Sequence, residues 1–176
     1  EQLSPGRQAS LLSTWRSDPT LLGRRLGPDA SRATSLLIGA SLAFDLETDG
    51  ERIWEIGCAR NGQAVLLHDD RIGTNLEAGL ADLCERIHQA PLLVGHNILA
   101  WDWPIVARNI KVETVPLMWD TLLVQYLLEP QAPSHALGGS HHADDDALAT
   151  AQLFEKQLAS LPTDIARRVL CGEFAD

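Results

Sequence analysis

The stretch "LAFDLETDGERIWEIG", from Leu42 to Gly57, contains two apolar runs that are typical of neighbouring strands joined by a short turn. The first run carries carboxylates at alternate positions, Asp45 and Glu47. Side chains alternate between the two faces of a strand, so both carboxylates point to one face and Leu46 points to the other. Two like charges this close repel each other, so a fold keeps them where a cation lies between them or where water reaches both freely.

The residues around this stretch predict the first half of a sheet. We expect a first strand over Leu36–Glu47 and a second over Arg52–Arg60. Asn61-Gly62 is a hairpin signal that leads into a third strand over Gln63–His68. Apolar residues at helical spacing then predict an amphipathic helix over residues 75–88.

The second half of the pattern alternates short strands with helices. The strand in "PLLVGHN" should run parallel to the first strand, because a helix precedes it. Further predicted elements are a helix over Trp101–Asn109, a strand in "VPLMWDT", a helix over Thr121–Leu128 capped by Asp120, a loop in "EPQAPSHALGGS", and helices over Ala143–Leu158 and Thr163–Leu170. The sequence therefore predicts an α/β domain with a mixed sheet flanked by helices.

The chain divides into three parts. Residues 1–35 predict short helical pieces broken by Pro and Gly, and we interpret them as a helical N-terminal extension or linker. Residues 36–160 form the main domain, and 161–176 form a C-terminal helix or tail. The sequence begins with Glu1 and not with Met, which favours a piece of a longer chain.

Charge and cysteine content limit the classes of function. The 176 residues carry a net charge of -10, and no apolar run is long enough to span a bilayer, which needs about 20 residues. We therefore expect no membrane partner. Three widely spaced cysteines, Cys58, Cys84 and Cys171, form no metal-binding pair and favour reduced thiols in a cytoplasmic protein.

Further acidic residues follow the predicted strands. Asp102 should lie in the first turn of a helix after a buried strand, and "SHHADDDALATAQLF" places Asp144, Asp145 and Asp146 at the start of another helix, behind His141. Carboxylates at a strand end and in the first turns of two helices can converge at one edge of a sheet. Such oxygen-rich ligation suits Mg²⁺ or Mn²⁺ better than zinc.

These three segments resemble the three motifs of the DnaQ-like 3′–5′ exonucleases, in the DEDDh branch, over roughly residues 36–158. "FDLETDG…RIWEIG" is similar to the first motif and "GHNILAWD" to the second. In the third motif a histidine precedes the catalytic Asp by five residues, a spacing that selects His141 and Asp146. The neighbouring register, His142 with Asp145, stays open. The resemblance implies a ribonuclease H-like fold, with the exonuclease domain over residues 36–160.

The resemblance also implies a chemistry. Four carboxylates would hold two divalent ions, Mg²⁺ or Mn²⁺, and His141 would be the general base that takes a proton from the attacking water. The product would be a nucleoside 5′-monophosphate released from the 3′ end of single-stranded DNA. The catalytic residues so implied are Asp45, Glu47, Asp102, His141 and Asp146, of which the four carboxylates are the metal ligands.

Several nearby residues have a structural interpretation beside a functional one. Thr48 follows Glu47 directly and is expected near the substrate. Asn97 is a candidate substrate contact, although Asn97 and His96 are better explained as ordering the strand-to-helix turn. Of the two tryptophans that flank Asp102, Trp103 is a candidate for stacking on a terminal base, and Trp101 is expected to pack in the core.

Three functions compete on the sequence alone. The first is a metal-dependent 3′–5′ exonuclease on single-stranded DNA. The second is an exoribonuclease that trims short RNA, since recognition of the 2′-OH depends on pocket shape. The third is an inactive nucleic-acid-binding module, which is disfavoured because all five motif positions are filled. The acidic core further favours a helicase, polymerase or nuclease module, in the same polypeptide or complex, that supplies a basic surface.

Overall fold

The structure is a computed structural model, and it describes residues 38–50, 52–112, 116–138 and 141–161. The predicted helical pieces in residues 1–35 and the predicted helix over Thr163–Leu170 lie outside these residues. The domain assignment for both ends of the chain therefore stays a prediction.

A five-stranded mixed sheet forms the centre of the domain. Its strands are β1 (Leu42–Asp49), β2 (Arg52–Arg60), β3 (Gln63–Asp69), β4 (Leu92–Gly95) and β5 (Leu117–Asp120). They lie in the order β3-β2-β1-β4-β5. β1 pairs antiparallel with β2 and parallel with β4, so the predicted parallel pairing of "PLLVGHN" with the first strand is confirmed.

Four helices complete the described part of the chain. They are α1 (Leu76–Gln89), α2 (Asp102–Asn109), α3 (Thr121–Leu128) and α4 (Ala143–Ser160), and a short 3-10 turn follows β3 over Asp70–Ile72. Asp120 caps α3 as predicted: its side chain accepts the backbone N–H groups of Leu122 and Leu123. The predicted α/β class with helices flanking a mixed sheet is confirmed.

The alternation of side chains along β1 gives each sheet face its own core. Leu42, Phe44 and Leu46 point to the face that packs against α1 and α2. Ala43 points to the opposite face, where Phe154 of α4 and Trp119 of β5 meet edge to face with ring centroids 5.2 Å apart. Asp45 and Glu47 continue the row begun by Ala43, so they lie on the α4 face.

Two sequence predictions are wrong in detail. The first strand begins at Leu42 and not at Leu36, because residues 38–40 form a helical turn in which the Ser41 hydroxyl donates to the Ile38 carbonyl at 2.9 Å. Trp101 does not pack in the core: it is 49% exposed, because it lies in the irregular turn just before α2. Its neighbour Trp103 contributes the apolar ring to the core instead.

Two further findings concern membrane-spanning helices and cysteines. No helix among the described residues is long and apolar enough to cross a membrane. Cys58 is a buried free thiol and Cys84 a half-buried one, while Cys171 lies outside the part of the chain that the structure describes.

Candidate functional site

The end of β1 forms one wall of the site. Asp45 lies opposite Gly57 of β2 and Glu47 lies opposite Glu55, so these four residues share the α4 face of the sheet. The register shifts after Glu47, where β2 carries one extra residue, Trp54. Such bulges increase the local twist and redirect side chains at strand ends. The carboxylate pair therefore lies where the ladder becomes irregular.

The second segment brings in Asp102. Its side chain is 2% exposed, and its Oδ1 accepts the backbone N–H of Leu46 at 3.0 Å. This bond ties the first turn of α2 to the strand between the two carboxylates of β1. Burial raises the pKa of Asp102 to about 7, despite the backbone hydrogen bonds that favour its charged form.

The third segment is the beginning of α4. Ligand atoms of Glu47, His141 and Asp146 all lie within 4.8 Å of one another. His141 has a φ of 57°, in the left-handed region that residues with a Cβ seldom adopt. Asp146 lies in the first turn of the helix, and its buried Oδ1 has no hydrogen-bond partner among the described residues. The close group of ligand atoms around Glu47 thus includes His141 and Asp146.

Like charges and burial act together on this cluster. The pKa of Asp45 rises to about 8, first through burial and then through the neighbouring charges of Asp102, Asp146 and Glu47. Burial, and then Asp146, also raises the pKa of Glu47. Burial raises the pKa of Asp146, while His141 counteracts it. The four carboxylates therefore lie close enough to oppose each other's ionisation.

The donor set fits a divalent cation. Glu47, His141 and Asp146, together with the flanking Asp45 and Asp102, offer carboxylate oxygens from three segments of the chain and one imidazole, and oxygen ligands predominate as hard cations require. A buried Asp146 oxygen without a partner and a carboxylate held protonated near neutral pH are both conditions that a cation would relieve. Of the predicted ligands, Glu47 and Asp146 belong to the closest group, and Asp45 and Asp102 flank it.

A second group of charged residues lies beside the cluster, and the sequence reasoning missed it. Glu55 is fully buried, and its Oε2 accepts the backbone N–H of Ala143 at 2.8 Å. Arg71 forms an ion pair with Glu55 and with Asp69, and its Nη2 lies 3.2 Å from Nδ1 of His142. The signal in the sequence is a carboxylate, Glu55, inside the apolar run "IWEIG", because a charge buried in such a run needs a partner.

The three predicted substrate contacts, Thr48, Asn97 and Trp103, lie in different environments. The Thr48 hydroxyl is buried without a described partner directly after Glu47. Asn97 has a φ of 66°, and its backbone N–H donates to Asp120 at 3.0 Å, in keeping with a role in the turn. Trp103 is half-buried against the α1 and α2 core, which leaves less of its ring for stacking. The roles of Thr48, Asn97 and Trp103 as substrate contacts stay predictions.

Asp120 and His96 order the loop between β4 and α2. Asp120 accepts N–H groups from this loop as well as from α3, including that of Leu99 at 3.2 Å. Nδ1 of His96 lies 3.0 Å from the Thr121 hydroxyl. His96 therefore lies in the turn as predicted, whereas Asp120 orders this turn in addition to its predicted role as the cap of α3.

Comparison with known proteins gives no relative for this chain. No protein-family model matches it, and neither a curated protein nor a solved structure is significantly similar to it.

Proposed function

We propose that this chain is a metal-dependent 3′–5′ exonuclease with a ribonuclease H-like fold, similar to the DEDDh branch of the DnaQ-like enzymes. The substrate is a single-stranded DNA 3′ end. The observation that carries the proposal is the convergence of β1, the first turn of α2 and the turn before α4 on one acidic cluster that includes a histidine. Each segment contains one of the three motifs found in the sequence.

In the proposed reaction Asp45, Glu47, Asp102 and Asp146 would hold two divalent cations. Such a cation pair stabilises negative charge on both the attacking and the leaving oxygen of an in-line displacement at phosphorus. One of these carboxylates, Asp102, also has a structural role. Asp102 anchors α2 to the backbone at Leu46 and so keeps its free oxygen at the cluster.

His141 is the proposed general base. Its ring lies beside Glu47 and Asp146, and it is exposed to solvent, so a water molecule can reach it. Imidazole is the side chain that most often serves as a general base near neutral pH. The water oxygen bonds to phosphorus as its proton passes to His141, and the P–O3′ bond breaks. The leaving O3′ takes a proton from solvent, which leaves a nucleoside 5′-monophosphate and a strand shortened by one nucleotide.

The direct test is cleavage of 5′-labelled single-stranded DNA and RNA of the same sequence in Mg²⁺, Mn²⁺ and EDTA. We expect a ladder of products shortened from the 3′ end with either metal and none in EDTA. Faster cleavage of RNA would change the substrate to RNA but keep the reaction. Undiminished cleavage in EDTA, or no cleavage of either strand with both metals, would contradict the proposal.

A further inference from the structure

The turn before α4, which contains His141, has no side-chain capping bond of its own to stabilise it. His141 adopts the left-handed backbone region, and His142, at the N-cap position of α4, makes no side-chain capping bond. A residue with a Cβ stays in the left-handed region only where its surroundings enforce it. The enforcing contacts must therefore come from another part of the fold.

Glu55 supplies the missing cap from the middle of β2. Its Oε2 accepts the Ala143 N–H at 2.8 Å, so it satisfies an N–H group of the first turn of α4 from 88 positions away. The neighbouring position, Gly57, has no side chain, and a Cβ there would lie 2.1 Å from the Ala143 carbonyl carbon. The start of α4 therefore rests directly on β2, and the buried carboxylate fixes where it rests.

Arg71 completes the arrangement on the other side of the turn. It pairs with Glu55, and its Nη2 lies 3.2 Å from His142 Nδ1. Arg71 is itself held by Asp69, whose Oδ1 lies 2.9 Å from Nε and whose Oδ2 lies 3.0 Å from Nη2. The 3-10 turn after β3 thus brings a rigidly held guanidinium to the residue that follows His141.

We infer that Glu55 and Arg71 are positioning residues, which hold the turn before α4 so that the His141 imidazole stays beside Glu47 and Asp146. The catalytic consequence of this inference rests on the proposed function. Neither residue needs to touch the substrate. They act through Ala143 and His142, and a misplacement of the base by about 1 Å costs on the order of 10²-fold in rate.

The test compares three variants at equal protein and metal concentrations. Glu55→Met removes the bond to Ala143 and the ion pair, and we expect kcat to fall by about 10²-fold with KM changed by less than about threefold. Glu55→Gln keeps an acceptor for the Ala143 N–H, so it should recover part of the rate. Arg71→Met leaves β2 intact and tests the other half of the pair, with an expected loss of about tenfold.

Gln157→Met is the matched control. Gln157 is a buried polar residue of the same helix, and it bonds to Trp119 and Thr121 far along α4 from the turn. Its replacement should lower stability while kcat stays within about threefold of the wild type. If Glu55→Met and Arg71→Met cleave as fast as Gln157→Met, the inference is wrong even though the proposed nuclease stands.

A second readout separates this inference from the proposed function. The imidazole resonances of His141, assigned by their loss in His141→Gln, should move in Glu55→Met and Arg71→Met and stay in place in Gln157→Met. This measurement needs neither metal nor substrate, so it decides the positioning role even if the wild type cleaves nothing. Unmoved His141 resonances in both Glu55→Met and Arg71→Met would overturn the inference.

Discussion

At the scale of the residue, Asp45 is both a proposed metal ligand and a carboxylate that is repelled by its acidic neighbours. It is the carboxylate whose pKa the neighbouring Asp102, Asp146 and Glu47 raise in addition to burial. A carboxylate in that position lowers the stability of the metal-free fold. A cation that binds only the folded state would restore this stability. Stability and activity should therefore respond to its removal in opposite directions.

Replacement of Asp45 by Asn tests whether stability and activity change in opposite directions. We expect Asp45→Asn to lose cleavage by more than about 10³-fold and to lose the stabilisation by Mn²⁺, because an amide is a poor ligand. Without metal, at pH 9, its melting temperature should exceed that of the wild type. Asp49→Asn, at the exposed end of the same strand, is the control and should change neither quantity.

The two adjacent histidines should differ sharply. His141→Ala should lose about 10²–10⁴-fold in rate, the usual contribution of a general base, while Mn²⁺ binding measured by calorimetry stays within about tenfold. His142→Ala should lose less than about tenfold, because its ring contacts Arg71 and Glu55 and is not among the close ligand atoms of Glu47, His141 and Asp146. The reverse order would assign the base to His142 and require Asp145 to be tested against Asp146.

The raised pKa values also predict how stability depends on pH. An unfolded Asp has a pKa of about 3.9, whereas the folded chain holds Asp102 near 7 and Asp45 near 8. The folded state keeps protons that the unfolded state has released, so the free energy of unfolding falls as the pH rises through 7 and 8.

Urea unfolding at pH 6.5 and pH 9 measures this effect. In EDTA we expect a loss of about 3 kcal/mol between the two pH values, and in saturating Mg²⁺ we expect most of it to disappear. Metal-free stability that stays constant or rises over this interval would show that burial and like charges do not raise the pKa values of Asp45 and Asp102 as the structure indicates.

At the scale of the element, the contact between β2 and α4 decides the site. Gly57→Ala would insert a Cβ 2.1 Å from the backbone of Ala143, so α4 would have to move away from the sheet. We expect a loss of about 3 kcal/mol or more by chemical denaturation, at the upper end for overpacked sites. Gly39→Ala meets nothing closer than 3.5 Å and is the matched control, with a change below about 0.5 kcal/mol.

The elements differ in how far the sequence could predict them. The bounds of β2 agree with the prediction because the Asn61-Gly62 turn and the apolar alternation are both local signals. Leu36 was a wrong start for β1 because an apolar run does not distinguish a strand from a helical turn, and the local bond from the Ser41 hydroxyl to the Ile38 carbonyl leaves no trace in the apolar pattern.

The site itself was predictable where its residues lie in local motifs and not where they depend on distant partners. Asp45, Glu47, Asp102, His141 and Asp146 were selected by the resemblance of three short local motifs to those of a known family, and the structure brings them together. Glu55 and Arg71 could not be found this way, because their partners, Ala143 and His142, lie more than seventy positions away in sequence. Nothing local to Arg71 indicates that it meets a helix start.

At the scale of the whole molecule, charge limits how strongly the chain can grip a nucleic acid. Residues 36–176 carry nine basic and 21 acidic residues, a net of -12, and two Mg²⁺ ions would offset only four of these charges. Phosphates beyond the scissile one should therefore be repelled. Lys111 and Lys156 are the only lysines, so few counterions would be released on binding.

We therefore predict a distributive enzyme that prefers short or frayed single-stranded 3′ ends. Its affinity, measured by fluorescence anisotropy in Ca²⁺ from 50 to 200 mM salt, should change by less than about tenfold, whereas proteins with six or more phosphate contacts lose about 10³-fold or more over this range.

A chain lacking residues 1–35 is the informative comparison, because that segment has a net charge of +2. Weaker binding without it would assign the phosphate contacts to its arginines, and unchanged binding would make it a connector. A processive complex with a steep salt dependence in both forms would show that a local basic groove overrides the net charge. The arginines concerned are Arg7, Arg16, Arg24, Arg25 and Arg32.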